Sequence, residues 1–260
     1  MTGTSATTLA PWVLALALGA GLANTAFHLA YHQSPLYLDP RALVGRDRRA
    51  VLSGRQVAVL LVALGGIAVF LLTPAPELGA ALVLAAILQL RRWEIATWPG
   101  DMVVRLGKYA PASACLLGGA AAHLLARALG ADAVTQAARG WDAAAGVLAS
   151  AYVLAAIAKV RESGLGWTRA ESISLLLAER GFGRWGGLRL RLAQSRSASA
   201  FVGWMGLLVE AAAVLLLFPP IRPYFAAGIV VFMAVTWLLF GYFEPEWALS
   251  AAAIGIAAAG

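Results

Sequence analysis

GVLASAYVLAAIA, residues 146 to 158, is a run of thirteen uncharged and mostly apolar residues that ends at Lys159, and the charged pair Arg161–Glu162 follows it. Apolar stretches of this kind recur along the whole chain, and about 20 residues suffice to cross a bilayer as a helix. The 260-residue chain is 61% hydrophobic and 13% charged, and its mean hydropathy is +0.77. Because roughly a quarter of the residues of a soluble domain are charged, we expect an integral membrane protein.

The predicted fold is all-α, a polytopic bundle of seven or eight transmembrane helices, because backbone groups in lipid must be hydrogen-bonded within the segment. The predicted spans are Thr8–Tyr31, Val57–Leu72, Glu77–Leu90, Met102–Leu129, Trp141–Val160, Phe201–Phe218, Tyr224–Gly241 and Trp247–Ala259. The third and the eighth are short. Residues 1–260 are predicted to form a single transmembrane domain, with Gly and Ala throughout the spans to allow close helix packing.

Basic residues separate the two sides of the predicted bundle. The loops Gln33–Gln56, Arg91–Asp101 and Arg161–Ala200 carry five, two and seven Lys or Arg, whereas the N-terminus and the loops after the second, fourth and sixth spans carry zero, zero, one and one. Loops rich in Lys and Arg stay in the cytoplasm. We expect a bacterial-type cytoplasmic membrane, with the N-terminus outside and the basic loops in the cytoplasm. No Lys or Arg precedes Arg41, so the first apolar run is predicted to be a retained span rather than a signal peptide.

The net charge of +7 could indicate nucleic acid, but the basic residues lie in short loops that meet anionic lipid. Nucleic acid is therefore excluded as a partner and membrane lipids are expected. The longest connection, residues 161–200, mixes arginines with Leu, Trp and Ile at near-helical spacing. This pattern predicts amphipathic helices in the membrane interface. Two roles are equally consistent with it: a simple connection that lies along the membrane, and a surface that faces a substrate.

Ionisable residues within predicted spans are functional candidates, because they face the bundle interior or a wet cavity. Lys159 lies at the end of its span. Desolvation there could lower the pKa of its ammonium group so that the lysine acts as a base. Alternatively, the side chain could extend so that the ammonium group reaches the interface. Glu210 lies nine residues into FVGWMGLLVEAAAVLLLF, residues 201–218. It is predicted to act in catalysis or proton relay, or to form a structural ion pair with Lys159, Arg105 or Lys108.

Weaker candidates lie elsewhere in the chain. Asp101 and Arg105 are four residues apart on one helical face and could form a local ion pair. His123 lies near the far end of the fourth span, where a hydrogen-bonded core histidine is the ordinary alternative to a ligand-binding role. His28 and His32 are also four apart and could bind a metal, but no third ligand is apparent and no metal is predicted.

The remaining chemistry-bearing features are few. Cys115, the single cysteine, lies in an apolar run and is interpreted as a small packing residue. The chain contains no P-loop, HExxH or GxSxG motif and no aspartate-rich prenyl-diphosphate motif, so catalysis of the soluble type is not expected.

Three segments resemble the vitamin K-dependent γ-carboxylase family, whose bacterial relatives are called HTTM-domain proteins. AYVLAAIAKVRESGLGW, residues 151–167, is similar to the family segment that contains a conserved lysine followed by tryptophan. GWMGLLVEAAAVLLLFPPIRPYFAAGIVVFMAVTW, residues 203–237, resembles the next two spans, the first of which contains an acidic residue. WPGDMVVRLGKY, residues 98–109, is similar to an earlier polar stretch at the start of a span.

This resemblance implies roles for individual residues. Lys159 falls on the base that deprotonates reduced vitamin K, or another lipid quinol, so that the quinol can react with oxygen. The strong base that results abstracts a γ-proton from a peptide glutamate, and the carbanion takes up carbon dioxide. Glu210 falls on the acidic position and Trp167 on the tryptophan, while Asp101 and Arg105 would orient the substrate and His123 would contribute to its binding.

The resemblance has departures and leaves other functions open. Gly100 or Asp101 replaces one functional histidine of the animal enzymes, and Met233 replaces another. One alternative is maturation of a secreted peptide, as in production of a sporulation-delaying toxin by an HTTM-containing factor. Another is a non-catalytic membrane carrier or assembly subunit whose buried charges bind a ligand or a partner protein.

Overall fold

The computed structural model describes residues 3–30, 52–73, 76–97, 111–179, 185–240 and 245–260. Within these ranges the protein is all-α, as predicted. Its ten α-helices are α1 Gly3–Ala30, α2 Gly54–Leu72, α3 Pro76–Thr97, α4 Pro111–Ala128, α5 Ala133–Ser163, α6 Ala170–Glu179, α7 Gly186–Gln194, α8 Arg196–Ala211, α9 Arg222–Phe240 and α10 Pro245–Ala259. Two 3-10 segments, Gly164–Thr168 and Ala212–Leu217, follow α5 and α8.

Five helical stretches in the described ranges are long and apolar enough to cross a membrane, which indicates an integral membrane protein. They are Leu9–Ala26, Gly54–Leu72, Ala133–Thr168, Arg196–Leu217 and Arg222–Phe240. The other predicted spans correspond to α3, α4 and α10. Helix α3 carries Glu77 in its first turn and two arginines, Arg91 and Arg92, near its end. Helix α10 has 15 residues, about 22 Å of helix against a hydrocarbon core of about 30 Å.

The helix starts follow from local side-chain chemistry. Ser53 caps α2 through a reciprocal pair of bonds: its hydroxyl accepts from the Gln56 amide at 3.3 Å, and its own amide donates to Gln56 Oε1 at 2.8 Å. Asp132 caps α5 by accepting from the Thr135 amide at 2.9 Å. This hydrogen bond is the main cause that lowers the pKa of the Asp132 carboxyl, so the cap is charged at neutral pH and stabilises the helix N-terminus.

Neighbouring helices approach closely where glycines face each other. The most extensive contacts join α2 with α3, α4 with α5, and α10 with α1 and α9. A Cβ atom on Gly79 of α3 would lie 2.2 Å from the backbone nitrogen of Phe70 in α2. On α4, a Cβ atom on Gly119 would lie 3.1 Å from the carbonyl oxygen of Gly140 in α5. These glycines hold the backbones together by van der Waals contact, as expected for helices in lipid.

Helix α5 forms the centre of the largest apolar cluster. Its buried residues Leu148, Ala149 and Tyr152 pack with buried residues of the second 3-10 segment, α9 and α10. The Tyr152 ring meets the Trp247 ring of α10 edge to face, with centroids 4.9 Å apart. Outward-facing leucines and valines remain exposed on the long helices, because their surroundings in a membrane are hydrocarbon and they gain nothing from burial within the protein.

The long connection contains two helices, α6 and α7, within the residues that the structure describes. Helix α5 continues past its predicted end at Val160 to Ser163, and Gly164, with φ +58°, ends it in a conformation that favours glycine. Helix α6 buries Ile173 and Leu177 on one face. This face packs against α8, which begins five residues before the predicted sixth span.

Candidate functional site

Lys159 and Glu210 form an ion pair between α5 and α8. The Lys159 ammonium group donates a hydrogen bond to Glu210 Oε1. The Lys159 side chain is 25% exposed and that of Glu210 is 11% exposed. Lys159 lies four residues before Ser163, the last residue of α5, so the pair is near one end of that helix.

Trp167 completes this cluster from the first 3-10 segment. Its ring centroid lies 5.1 Å from Lys159 Nζ, which is a cation–π distance. The 3-10 turn after Gly164 folds the chain back over the end of α5. Lys159 and Trp167, which lie in one of the segments quoted above, therefore form one cluster with Glu210, which lies in another.

The second oxygen of Glu210 is available for a further interaction. Glu210 Oε2 is buried and has no hydrogen-bond partner in the part of the chain that the structure describes. Buried polar atoms are nearly always hydrogen-bonded, so this oxygen is suited to accept a proton donor from a bound molecule. The helix changes to 3-10 geometry directly after it, where the Ala212 amide donates to both the Glu210 and the Leu208 carbonyl oxygens.

His123 lies at the opposite end of the bundle from Lys159. Its Nε2 atom is 3.4 Å from Glu77 Oε1, and Arg127 Nη1 donates to the same oxygen at 3.0 Å. His123 packs beside Gly140 of α5, which is nineteen positions before Lys159 and so about 28 Å from it along the helix. The structure thus separates His123 from the other predicted site residues that it describes.

Several predicted residues cannot be assigned to the site. Asp101, Arg105 and Lys108 lie outside the described residues, as does His32, and the side chain of His28 also lies outside them. No group of three His, Cys, Asp or Glu side chains that could hold a metal ion occurs in the described ranges. Cys115 is buried in α4, and its Sγ atom lies 3.5 Å from the Ala144 carbonyl oxygen, as expected for a packing residue.

Glu246 is a buried acidic residue that the sequence analysis missed. It lies in the first turn of α10, is 7% exposed, and accepts a hydrogen bond at 3.1 Å from the Ala112 amide in the first turn of α4. Gly21 of α1 borders its carboxylate, and Arg91 of α3 lines the same small cavity. The signal was present in the sequence, because Glu246 directly precedes the predicted span Trp247–Ala259, and a charge at the edge of a span is a functional candidate.

A second ion pair was also missed. Arg222, at the start of α9, is 6% exposed; its Nη1 atom is 2.9 Å from Asp142 Oδ1 and its Nε atom donates to the Leu216 carbonyl oxygen at 2.7 Å. This arginine therefore ties α9 to α5 and to the second 3-10 segment. Its role is structural, because both of its bonds are within the protein and join elements of the bundle.

The fold and the site together define an all-α integral membrane protein with an ion pair and a tryptophan clustered at one end of its bundle. Comparisons of the chain with family models, with curated proteins and with solved structures find no match. The features available for a functional argument are therefore the residues and contacts described above.

Proposed function

We propose that this protein is a membrane enzyme that acts on a lipid-soluble quinol, such as reduced vitamin K, with Lys159 as the base. The observation that carries the proposal is the cluster of Lys159, Glu210 and Trp167, in which one buried carboxylate oxygen remains open to a hydrogen-bond donor. A quinol offers two hydroxyl donors on an aromatic ring and dissolves in the hydrocarbon that surrounds the site.

Each residue of the cluster has a distinct part in this proposal. Passage of a proton along the hydrogen bond from Lys159 to Glu210 would convert an ammonium and a carboxylate into an amine and a carboxylic acid, both neutral and both suited to an apolar site. The amine could then accept a proton from the quinol hydroxyl. Trp167 would cover the ring of the substrate. Oxygen and carbon dioxide would be co-substrates, and a peptide or protein glutamate the acceptor of the carboxyl group.

The proposal includes a topology of seven or eight spans in a bacterial-type cytoplasmic membrane, with the N-terminus outside and the basic loops in the cytoplasm. The contacts between helices support this topology: α3 packs along α2, α4 along α5, and α10 along α1 and α9. Each shorter or more charged helix therefore lies beside a helix that is long and apolar enough to cross a membrane. The Lys159 end of the bundle would then face the cytoplasm.

A non-catalytic carrier or assembly subunit is the second candidate function. It is favoured by one observation, namely that the Lys159 ammonium already has a carboxylate partner and an aromatic ring beside it. Such a protein would need Glu210 to hold its ligand or partner, and it would release the ligand chemically unaltered.

Replacement of Lys159 by arginine separates these functions. Arginine keeps the positive charge beside Glu210 but cannot be deprotonated in a protein, so Lys159→Arg should keep the thermal stability and lose the chemistry. Lys159→Met, which leaves Glu210 buried without its counter-charge, should lose stability by about 1.5–3 kcal/mol. Lys159→Met combined with Glu210→Leu should recover most of that loss.

The activity assay uses the purified full chain in nanodiscs with reduced vitamin K, oxygen, labelled bicarbonate and a glutamate-rich peptide. The wild type should consume the quinol and add the mass of carbon dioxide to the peptide, and Lys159→Arg should do neither. Quinol turnover that survives in Lys159→Arg would remove Lys159 as the base. Quinol turnover without added carbon dioxide would instead favour maturation of a secreted peptide, and ligand binding without turnover in the wild type would favour the carrier.

A further inference from the structure

An open groove lies where the long connection meets the start of α8. Its basic side chains are Arg169, which precedes α6, and Arg196, the first residue of α8. Both are exposed, and the Arg196 side chain is 85% exposed. The groove borders the 3-10 segment that contains Trp167, but neither Lys159 nor Glu210 lines it.

The groove has an excess of positive charge. Its one acidic side chain, Glu171, lies 3.1 Å from Arg196 Nη2, while Arg169 has no carboxylate within ion-pair distance among the described residues. The hydroxyl of Ser197 lies on the same wall. Two guanidinium groups, one hydroxyl and a single competing carboxylate are suited to bind a phosphate group.

Apolar side chains line the groove beside these charges. Leu165 is 57% exposed and Trp204 is 42% exposed, and both border the groove. The site lies where α5 has ended and α8 begins, which is the boundary between apolar spans and the polar connection. Tryptophan is enriched at this level of a membrane protein. A free phosphate ion would make no use of the apolar wall, whereas a phospholipid would contact it with an acyl chain.

We infer that this groove binds the headgroup of an anionic phospholipid of the phosphatidylglycerol type. The lipid phosphate lies between Arg169 and Arg196 and accepts from the Ser197 hydroxyl. The first part of an acyl chain lies along Leu165 and Trp204. Glu171 competes with the phosphate for Arg196, so the strength of lipid binding depends on this carboxylate.

Native mass spectrometry of the full chain in detergent micelles tests the site, with phosphatidylglycerol as the probe. The double variant Arg169→Gln/Arg196→Gln should bind it at least about tenfold more weakly, because it removes both charge-assisted contacts to the lipid phosphate. The matched control is Arg161→Gln/Arg191→Gln, which removes two exposed arginines of the same connection that do not line the groove. This control should bind like the wild type.

Glu171→Gln provides a test in the opposite direction. It removes the competing carboxylate and should tighten phosphatidylglycerol binding about threefold, a gain that loss of folding cannot produce. Phosphatidylcholine and inorganic phosphate serve as further probes, and both should bind much more weakly than phosphatidylglycerol. The inference is overturned if the matched control loses as much binding as the groove variant, if Glu171→Gln has no effect, or if either further probe binds as well as phosphatidylglycerol.

Discussion

Gly21 allows the carboxylate of Glu246 to lie against the backbone of α1. A Cβ atom on Gly21 would be 2.7 Å from Glu246 Oε2. Any side chain at this position would therefore displace the carboxylate. Glu246 in turn accepts the hydrogen bond from the Ala112 amide. The glycine therefore leaves room for the Glu246 carboxylate in the position from which it accepts this hydrogen bond.

Gly21→Ala should destabilise the protein by about 1–3 kcal/mol, because it overpacks the contact and forces Glu246 away from Ala112. Thermal or denaturant unfolding in detergent measures the change. Gly19→Ala is the matched control on the same helix, since a Cβ atom there meets nothing within 4 Å, and it should be neutral or slightly stabilising. Equal effects of the two substitutions would show that Gly21 is not the point of close contact.

At the residue scale, sequence reasoning found the members of the candidate site but did not determine their partners. Lys159 and Glu210 stand out because each interrupts or ends an apolar run. Their pairing joins residues that are 51 positions apart, and Arg105 and Lys108 were equally acceptable partners for Glu210. Glu246 was missed because it lies one residue before the predicted eighth span, Trp247–Ala259.

At the scale of elements, α8 is fixed to the connection by another close contact. A Cβ atom on Gly203 would lie 2.9 Å from the Ile173 side chain, 3.1 Å from the Thr168 backbone and 3.3 Å from the Trp167 carbonyl oxygen. The position of the first 3-10 segment thus depends on the absence of a side chain at Gly203. The position of the Trp167 ring beside Lys159 depends on it too, because Trp167 belongs to this segment.

Gly203→Ala should push the connection away from α8, because two of the atoms it would meet belong to the backbone and cannot rotate aside. Hydrogen–deuterium exchange of residues 164–179 should accelerate, while exchange of α4 should stay unchanged. Gly206→Ala on the same helix is the control, since its Cβ atom would meet nothing within 4 Å. Unchanged exchange in Gly203→Ala would mean that α8 does not hold the connection.

The presence of the helices was predicted better than the residues at which they begin and end. Hydrophobic length indicated most of the helices, and near-helical spacing indicated that the connection contains helices. The 3-10 segment Ala212–Leu217 was not expected, because AAVLLL favours an α-helix by its composition. Its geometry depends on packing against α5 and on the bond from Arg222 to the Leu216 carbonyl oxygen, contacts that arise only after the helices assemble.

At the scale of the whole molecule, the charge clusters described above are divided between the two ends of the bundle. One end contains the Lys159–Glu210 pair and the buried Glu246. The other contains Glu77 with His123 and Arg127, as well as the pair of Asp142 and Arg222. The proposed topology places the first end in the cytoplasm and the second outside.

Cysteine labelling in intact cells tests this orientation. Val134, 80% exposed beside the loop before α5, and Glu179, exposed at the end of α6, are suitable positions. A membrane-impermeant maleimide should label Val134→Cys in intact cells and Glu179→Cys only after permeabilisation. Native Cys115 is buried and should give little background, which the unaltered chain checks. The reverse pattern would invert the topology, and labelling of both positions in intact cells would exclude an odd number of crossings between them.

The sequence predicted the class of the whole molecule, an all-α integral membrane protein, from hydropathy alone. The number of spans is harder to predict from the sequence. Helix α3 carries charged residues and α10 is short, so neither has the length and composition of a span by itself. Five helical stretches meet the length and composition of a span without such help. The assembly of the remaining helices is a property of the packed bundle rather than of any single segment.

The packing of α1 against α10 has a consequence for biosynthesis. Helix α10 leaves the ribosome roughly two hundred residues after α1, which at about 5–20 residues per second is a delay of about 10 to 40 s. During that interval the Ala112 amide lacks its carboxylate acceptor, and the face of α1 that α10 covers is open to other membrane proteins. The contact between α1 and α10 can therefore close only after the helices between them in the sequence have been synthesised.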